Sequence, residues 1–477
     1  MTTQIFLAST LYGAATLAAA LDAGCFAPAG RRLLLVSSNA AVPETAPAVD
    51  ELPGFERLRG RFDEVVSWNG TIFPFHPGGW SPRPEDAPLW ERFLRLAWDL
   101  GDDEVSLAVE SIQVNPALGL ARIFTDAPLT VYADGLMSYG PTRNKLDPLV
   151  GTRVERLLHL DLVPGLRPLL LTEFGVPAQL VPAPAFTKVL AELAGTDVRL
   201  PEAERPALLL GQYLSALGIL SAEEEERLHA EMLRGVVRLG HRRVVFKPHP
   251  TAPARFSRLL EEEAERLGAE LTVLDAPVLA EVLYQRMRPA LVTGCFSTAL
   301  ITASELYGLP VARAGTELLL DRLTPFENSN RVPVTIVDAL LPELSDRAAV
   351  TEGRRGLDTE DLGQLVRAVG FAMQPRILPQ LRQDAERYLS TRLDDRTRRY
   401  FGRKRLASLG LPGGVPARLA FLGRSPAVRR AARRLRRLRR RVRRRRGAAA
   451  RSRPRGAVHD QPDHPAPRTG GCVCRRR

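Results

Sequence analysis

The chain has 477 residues, 45% hydrophobic and 25% charged, the balance of a soluble globular protein long enough for two to three domains. Its formal charge of +13 is unevenly spread: residues 424–477 hold 21 Arg and no Lys against Asp460 and Asp463, a net +19 that leaves −6 for residues 1–423. That distribution excludes a basic nucleic-acid-binding fold and describes a mildly acidic globular part with a basic interaction arm.

From the N-terminus, Gln4-Ile5-Phe6-Leu7-Ala8 is a short apolar run closed by Ser9-Thr10, and an Ala- and Leu-rich helical pattern follows to Gly24. Leu17-Ala18-Ala19-Ala20-Leu21 looks like a signal-peptide core, but Thr2, Thr3 and Gln4 stand where basic residues belong. No run of about 18 apolar residues occurs that would span a membrane. Cys25 and Cys295 lie far apart, and Cys472 and Cys474 stand alone in the arm, so the expected compartment is the reducing cytoplasm. Further short apolar runs fall at residues 32–36, 64–66, 105–109 and 129–132. A helix is predicted over 86–100, with Asp86 as cap ahead of Leu89, Trp90, Phe93 and Leu96.

Residues 196–206, polar and carrying Pro201 and Pro206, mark a boundary, and a second series opens at 207–211. Its helix over 222–238 begins with Glu223 to Glu226 and ends with Arg234 and Arg238, which suits the helix dipole. Strands are predicted at 243–246, 271–274 and 289–293, and one long charged helix over 378–406. Continuous apolar runs alternating with helices are the mark of buried parallel sheets, so the fold class is α/β, with two doubly wound domains facing a cleft. The domains expected are 1–200, 205–375, a closing helical segment 376–410, and a tail 411–477. In the tail, Val428, Ala431, Ala432, Leu435, Leu438 and Val442 make a narrow helical stripe among 14 Arg in 424–446. Such a helix suits an anionic membrane surface, with nucleic acid as the competing polyanion. Residues 447–477 read as disordered.

The strongest chemical signal is Lys247-Pro248-His249-Pro250 at the C-terminal end of a predicted strand, where doubly wound sheets bind ligands. His249 there can protonate or hydrogen-bond a leaving phosphate, and Lys247 offers a point charge to a nucleotide. The other reading is a loop histidine between two turn-forming prolines. Ser297 and Thr298, after Gly294-Cys295-Phe296, would open a helix whose free N–H groups bind an anion, or else serve as a plain cap. Glu281 can accept from ribose hydroxyls, the alternative being a solvated helix carboxylate. Asp134, beside Gly135 at the end of residues 129–132, can deprotonate an acceptor hydroxyl, although Asp-Gly is also an ordinary turn. Ser9, Thr10, Ser38, Asn39 and Asn115 also follow predicted strands and can line the cleft, whereas His76 is read as a loop residue. The chain has no Walker loop, no GxGxxG after a strand, no His-Glu-x-x-His and no Asp-x-Asp. The last absence leads to an expectation of metal-independent chemistry with no cofactor.

The ordered set Asp134-Gly135, Lys247-Pro248-His249-Pro250, Pro277-Val278-Leu279-Ala280-Glu281 and Ser297-Thr298 resembles bacterial sialyltransferases, in particular the polysialyltransferase-like group, over roughly residues 1–400. The resemblance implies a GT-B fold of two Rossmann-like domains, with a CMP-linked nucleotide sugar held mainly by the second. It also implies His249 acting on the CMP phosphate, Lys247 and Glu281 holding cytosine and ribose, Ser297 and Thr298 the phosphate, and a glycan or polysaccharide as acceptor. The family's acidic motif has two acids before Gly, and here Ala133 stands in the first place, so Asp134 would be the base. Two other readings fit the same residues: a CDP-glycerol-type phosphotransferase sharing the GT-B frame, and a non-catalytic protein binding anionic polymer or membrane through its tail.

Overall fold

The structure is a computed structural model and describes residues 1–133, 135–201, 204–249 and 255–414. The described residues form two sheets in which every strand pairing is parallel. The first contains β1 (Thr2–Ala8), β2 (Arg31–Val36), β3 (Glu64–Ser67), β4 (Glu104–Glu110), β5 (Leu129–Ala133), β6 (Val154–Leu160) and β7 (Ala178–Val181), in the order β3-β2-β1-β4-β5-β6-β7. The second contains β8 (Ala207–Leu210), β9 (Arg243–Lys247), β10 (Glu270–Val273), β11 (Leu291–Gly294) and β12 (Val311–Arg313), in the order β10-β9-β8-β11-β12. In each sheet the chain starts in the middle, winds outward, then returns to the other side of the starting strand. This doubly wound order puts a switch point beside the first strand.

The central strands are covered on both faces, which is why they read as continuous apolar runs: Ile5, Phe6, Leu7 and Ala8 are all fully buried. Thr10 then caps the helix Leu11–Asp22, its Oγ1 accepting from the N–H of Gly13 at 2.9 Å. Leu17 to Ala20 are buried in that helix, which packs against β1 and the helix Ala183–Ala194. Their apolarity therefore serves the core. In the second half, Ser221 and Glu224 form a capping box on the helix Ala222–Arg238.

Three expectations change. The helix expected over 86–100 runs Ala87–Ala97, and Asp86 is no side-chain cap, because its carboxylate accepts from Arg83 Nε at 2.6 Å. Leu89, Phe93 and Leu96 face solvent, and only Ala87 and Leu94 of that helix are buried. The single long helix expected over 378–406 is broken into Arg382–Arg392 and Arg403–Leu409. Between them Asp394 accepts from the N–H groups of Arg396 and Thr397, a side-chain turn that competes with helical hydrogen bonding. Strands β6, β7 and β12 had no counterpart in the pattern; β7 is largely exposed and β12 spans three residues.

The sequence after the second sheet returns to the first. Thr359, opening the helix Thr359–Met373, donates its hydroxyl to the carbonyl of Pro164 at 3.1 Å, and Gln374 Nε2 donates to the carbonyl of Arg143 at 2.7 Å. Residues Met1–Gly414 thus form one unit, an α/β protein of GT-B architecture. No helix among the described residues is long and apolar enough to cross a membrane. The Arg-rich stripe at 424–446, the segment 447–477, Cys472 and Cys474 lie outside the described residues, as does Asp134.

Candidate active site

The C-terminal end of β9 carries Lys247 out of a buried strand. Its carbonyl accepts from the N–H of Gly211 at 2.9 Å, and Gly211 is needed there: a Cβ would stand 3.1 Å from the Pro248 Cα and 3.0 Å from the Phe246 ring. Burial pushes the Lys247 ammonium below its usual range, and the carboxylate of Glu281 partly opposes that shift. Glu281, in the helix Ala280–Met287, is buried, which raises its carboxyl, while Thr302 Oγ1 donates to its Oε1 at 2.7 Å. It is therefore no solvated helix carboxylate. The half-buried Lys247 and the buried Glu281 are coupled electrostatically, and desolvation disfavours the charged form of each, so it lowers the lysine and raises the glutamate.

Beyond Pro248, the His249 ring stands 4.0 Å from the Tyr213 ring, centroid to centroid, at an interplanar angle of 38°. Burial, and then the nearby Lys247 charge, push its imidazole down to about 4. The ring is neutral at pH 7 and has one N–H to donate.

Ser297 is the N-cap of the helix Thr298–Glu305, its Oγ accepting from the N–H of Ala299 at 3.2 Å. Thr298 Oγ1 accepts at 3.3 Å from the N–H of Leu136, which follows the turn after β5. Both hydroxyls act as acceptors within the protein, so each keeps its own proton to donate. The contact at Leu136 brings the strand end of the first sheet against the helix start of the second. A Cβ at Gly135 would lie 3.2 Å from Thr298 Oγ1.

At the switch point of the first sheet, Glu110 ends β4. Its carboxylate accepts from the N–H and hydroxyl of Ser9 and from the Tyr132 hydroxyl, and burial raises it. These bonds tie the ends of β1, β4 and β5 together. Of the other strand-end residues, Thr10 is a cap, Ser38 exchanges backbone hydrogen bonds with the Asn69 amide, and Asn39 is exposed. Asn115 has a buried Oδ1 without a partner among the described residues. His76 is a loop residue as expected, its Nε2 on the carbonyl of Ala40 at 2.8 Å and its Nδ1 accepting from Gly78 N–H.

The pattern reading missed the loop after β8. Gln212 Oε1 accepts from the N–H of Phe296 at 3.0 Å, and the Tyr213 ring packs at a tilt against His249. Glu225 is buried and accepts from the N–H groups of Leu214 and Ser215 at 2.8 and 2.9 Å. One loop thus contacts both the histidine and the segment that leads into the helix Thr298–Glu305. Its only sequence signal was Gly211 at the end of an apolar run.

A family model described as alpha-2,8-polysialyltransferase matches residues 4–316, and no curated protein matches the chain. Among solved structures, the chain is similar to the GT-B domain of a sialyltransferase from Photobacterium damselae, with 12% identity, 71% of this chain and 96% of that chain covered, and a TM-score of 0.36. It is also similar to the UDP-GlcNAc 2-epimerase of Methanocaldococcus jannaschii, with 12% identity, 74% and 91% covered, and a TM-score of 0.43. The fold assignment rests on the two strand orders and not on these distant likenesses. With its matched region running through both sheets and past Thr298, the chain belongs to the alpha-2,8-polysialyltransferase family and is a glycosyltransferase.

Proposed function

We propose that the chain transfers sialic acid or a related sugar from a CMP-activated donor to a glycan acceptor, without a metal ion. We further propose that it works at the cytoplasmic face of the membrane, with residues 1–200 as acceptor domain and 205–375 as donor domain. The observation that supports this reading is the contact between Leu136 and Thr298, because it brings the chain two residues past Asp134 in sequence against the start of the helix Thr298–Glu305. Asp134 takes the proton of the acceptor hydroxyl, and that oxygen attacks the anomeric carbon. The bond from that carbon to the phosphate oxygen breaks, and the electron pair leaves with CMP. Neutral His249 donates its N–H to the departing phosphate, and the growing negative charge raises the ring's proton affinity as the bond breaks. Ser297 and Thr298 add hydroxyl protons and the helix N-terminus. Lys247 and Glu281 hold the nucleoside. The absence of an Asp-x-Asp pair supports the metal-free form.

The test is CMP release from CMP-sialic acid and, separately, from CDP-glycerol, each with and without strong chelator. Release from CMP-sialic acid that survives chelation is expected. Preferred turnover of CDP-glycerol would replace this reading by phosphotransfer, and loss that a divalent ion restores would overturn the metal-free mechanism.

A further inference from the structure

A cleft of about 600 Å³ opens beside the C-terminal ends of β2 and β3, within the usual range for ligand pockets. It shares its sheet edge with the switch point and the turn after β5, and in the strand order it lies three to four strands from β5. At about 4.8 Å per strand that is roughly 14 to 19 Å from the turn. Its walls are apolar and aromatic: Phe73 is 73% exposed, Phe75 51% and Val42 53%. From Phe75 an aromatic row continues outward through Trp80 at 6.1 Å, Trp90 at a further 4.6 Å and Phe93 at a further 5.7 Å. It ends on the helix that turns Leu89 and Leu96 to solvent, 67% and 75% exposed. Single exposed apolar residues are ordinary, but a connected row leading into a cleft is not.

The polar groups decide what fits. Among the described residues no Lys or Arg lines the cleft, and its one carboxylate is Glu44, so an anionic chain finds no countercharge. The hydrogen-bonding groups are largely engaged within the protein. The Asn69 amide is on the backbone of Ser38, Ser67 Oγ accepts from Gly70 N–H, and both His76 nitrogens are bonded. At the floor, Ser37 is buried and its hydroxyl has no partner among the described residues. Exposed rings with only the hydroxyls of Ser37, Ser38 and Ser67 left to donate suit hydrocarbon better than a sugar, most of whose hydroxyls would go unpaired.

The geometry points to an aglycone site: the cleft at Phe73 and Phe75 takes the uncharged hydrocarbon portion of an amphiphilic acceptor, whose sugar end reaches the turn after β5. This assignment rests on the reading of the chain as a glycosyltransferase with its acceptor on the first sheet. The span of several strands then calls for an acceptor longer than one sugar.

The full chain would be titrated by calorimetry with octyl β-lactoside, below its micelle concentration, and with methyl β-lactoside. Binding of the octyl compound alone, with a negative heat-capacity change, is expected. Phe73→Ser with Phe75→Ser weakens it at least about tenfold, since each ring loses buried apolar area. Phe73→Leu retains it within about threefold, and the exposure of both rings keeps the thermal midpoint unchanged in all variants. Equal binding of the two lactosides, or octyl binding indifferent to the phenylalanines, overturns the assignment. So does phenylalanine-dependent sedimentation with phosphatidylcholine vesicles where octyl lactoside does not bind, which would make the row a bilayer contact. Calorimetry needs no turnover, so octyl binding without CMP release from any donor supports the cleft and overturns the CMP-donor reading.

Discussion

The N–H of Leu136 donates to Thr298 Oγ1 at 3.3 Å, across 162 residues of sequence. One end of the bond lies three residues past β5 of the first sheet, and the other is the first residue of the helix Thr298–Glu305 after the second sheet's β11. Under the proposed mechanism the bond would set the distance between the base and the leaving group. Thr298→Val removes the acceptor while keeping the branched shape. It should cost about 1 kcal/mol of stability, with a larger proportional fall in kcat than in donor affinity. A thermal melt and steady-state kinetics on the same preparation separate the two effects. An unchanged kcat would show that the bond serves only packing.

Lys247 and Glu281 should behave as a unit. Lys247→Met leaves a buried carboxyl without its counter-charge, and Glu281→Gln leaves a half-buried ammonium without one. Each single change should weaken donor binding by about tenfold or more, and the double change should cost clearly less than the sum, because neither charge is then orphaned. A thermodynamic cycle on nucleotide binding measures the coupling. Strict additivity would mean that the two groups act on separate parts of the donor.

His229 gives a pH signature independent of activity. It is buried between Phe246 and Phe256, its Nδ1 has no partner among the described residues, and burial pushes it down to about 4. The unfolded chain binds this proton near pH 6.5 and the folded chain near 4, so the unfolded state holds more protons between those values. The stability present above pH 6.5 is lost as pH falls towards 4, by about 3 kcal/mol from this residue. His249 shifts the same way. Denaturant unfolding at a series of pH values should show the slope, and His229→Leu should flatten it. A slope unchanged by that substitution would assign the loss to other groups.

Glu110 should prove a positioning residue. Its oxygens are occupied by Ser9 and Tyr132, which leaves it poorly placed to take a substrate proton. Asp134→Asn is expected to lower kcat by about 10²–10⁴, the usual worth of a general base. Glu110→Gln should lower stability by roughly 1–3 kcal/mol, by turning one acceptor oxygen into a donor facing donors, and should leave the pH dependence of kcat in place. Loss of the acidic limb of the pH profile in Glu110→Gln would reverse the two roles.

Much of this fold was legible because the strands are buried on both faces, so residues 5–8, 107–109 and 207–210 read as unbroken apolar runs. Strands β7 and β12 were not, since an exposed four-residue edge and a three-residue strand carry too little pattern. The positions of Lys247, Glu281, Ser297 and Thr298 were legible for a local reason: each sits where a strand ends or a helix begins. The helix Ala87–Ala97 was legible from its periodicity, but the Asp86 cap was not borne out, because Arg83 holds that carboxylate.

The sequence by itself determined the α/β class, the two-part winding and the residue types at the strand ends, because those depend on local periodicity and on where helices start. Only the tertiary structure decided which strand ends meet. It set Tyr213 on His249, buried Glu281 beside Lys247, and brought the turn after β5 to Thr298. Desolvation and long-range contact govern all three, and neither is written in the order of neighbouring residues.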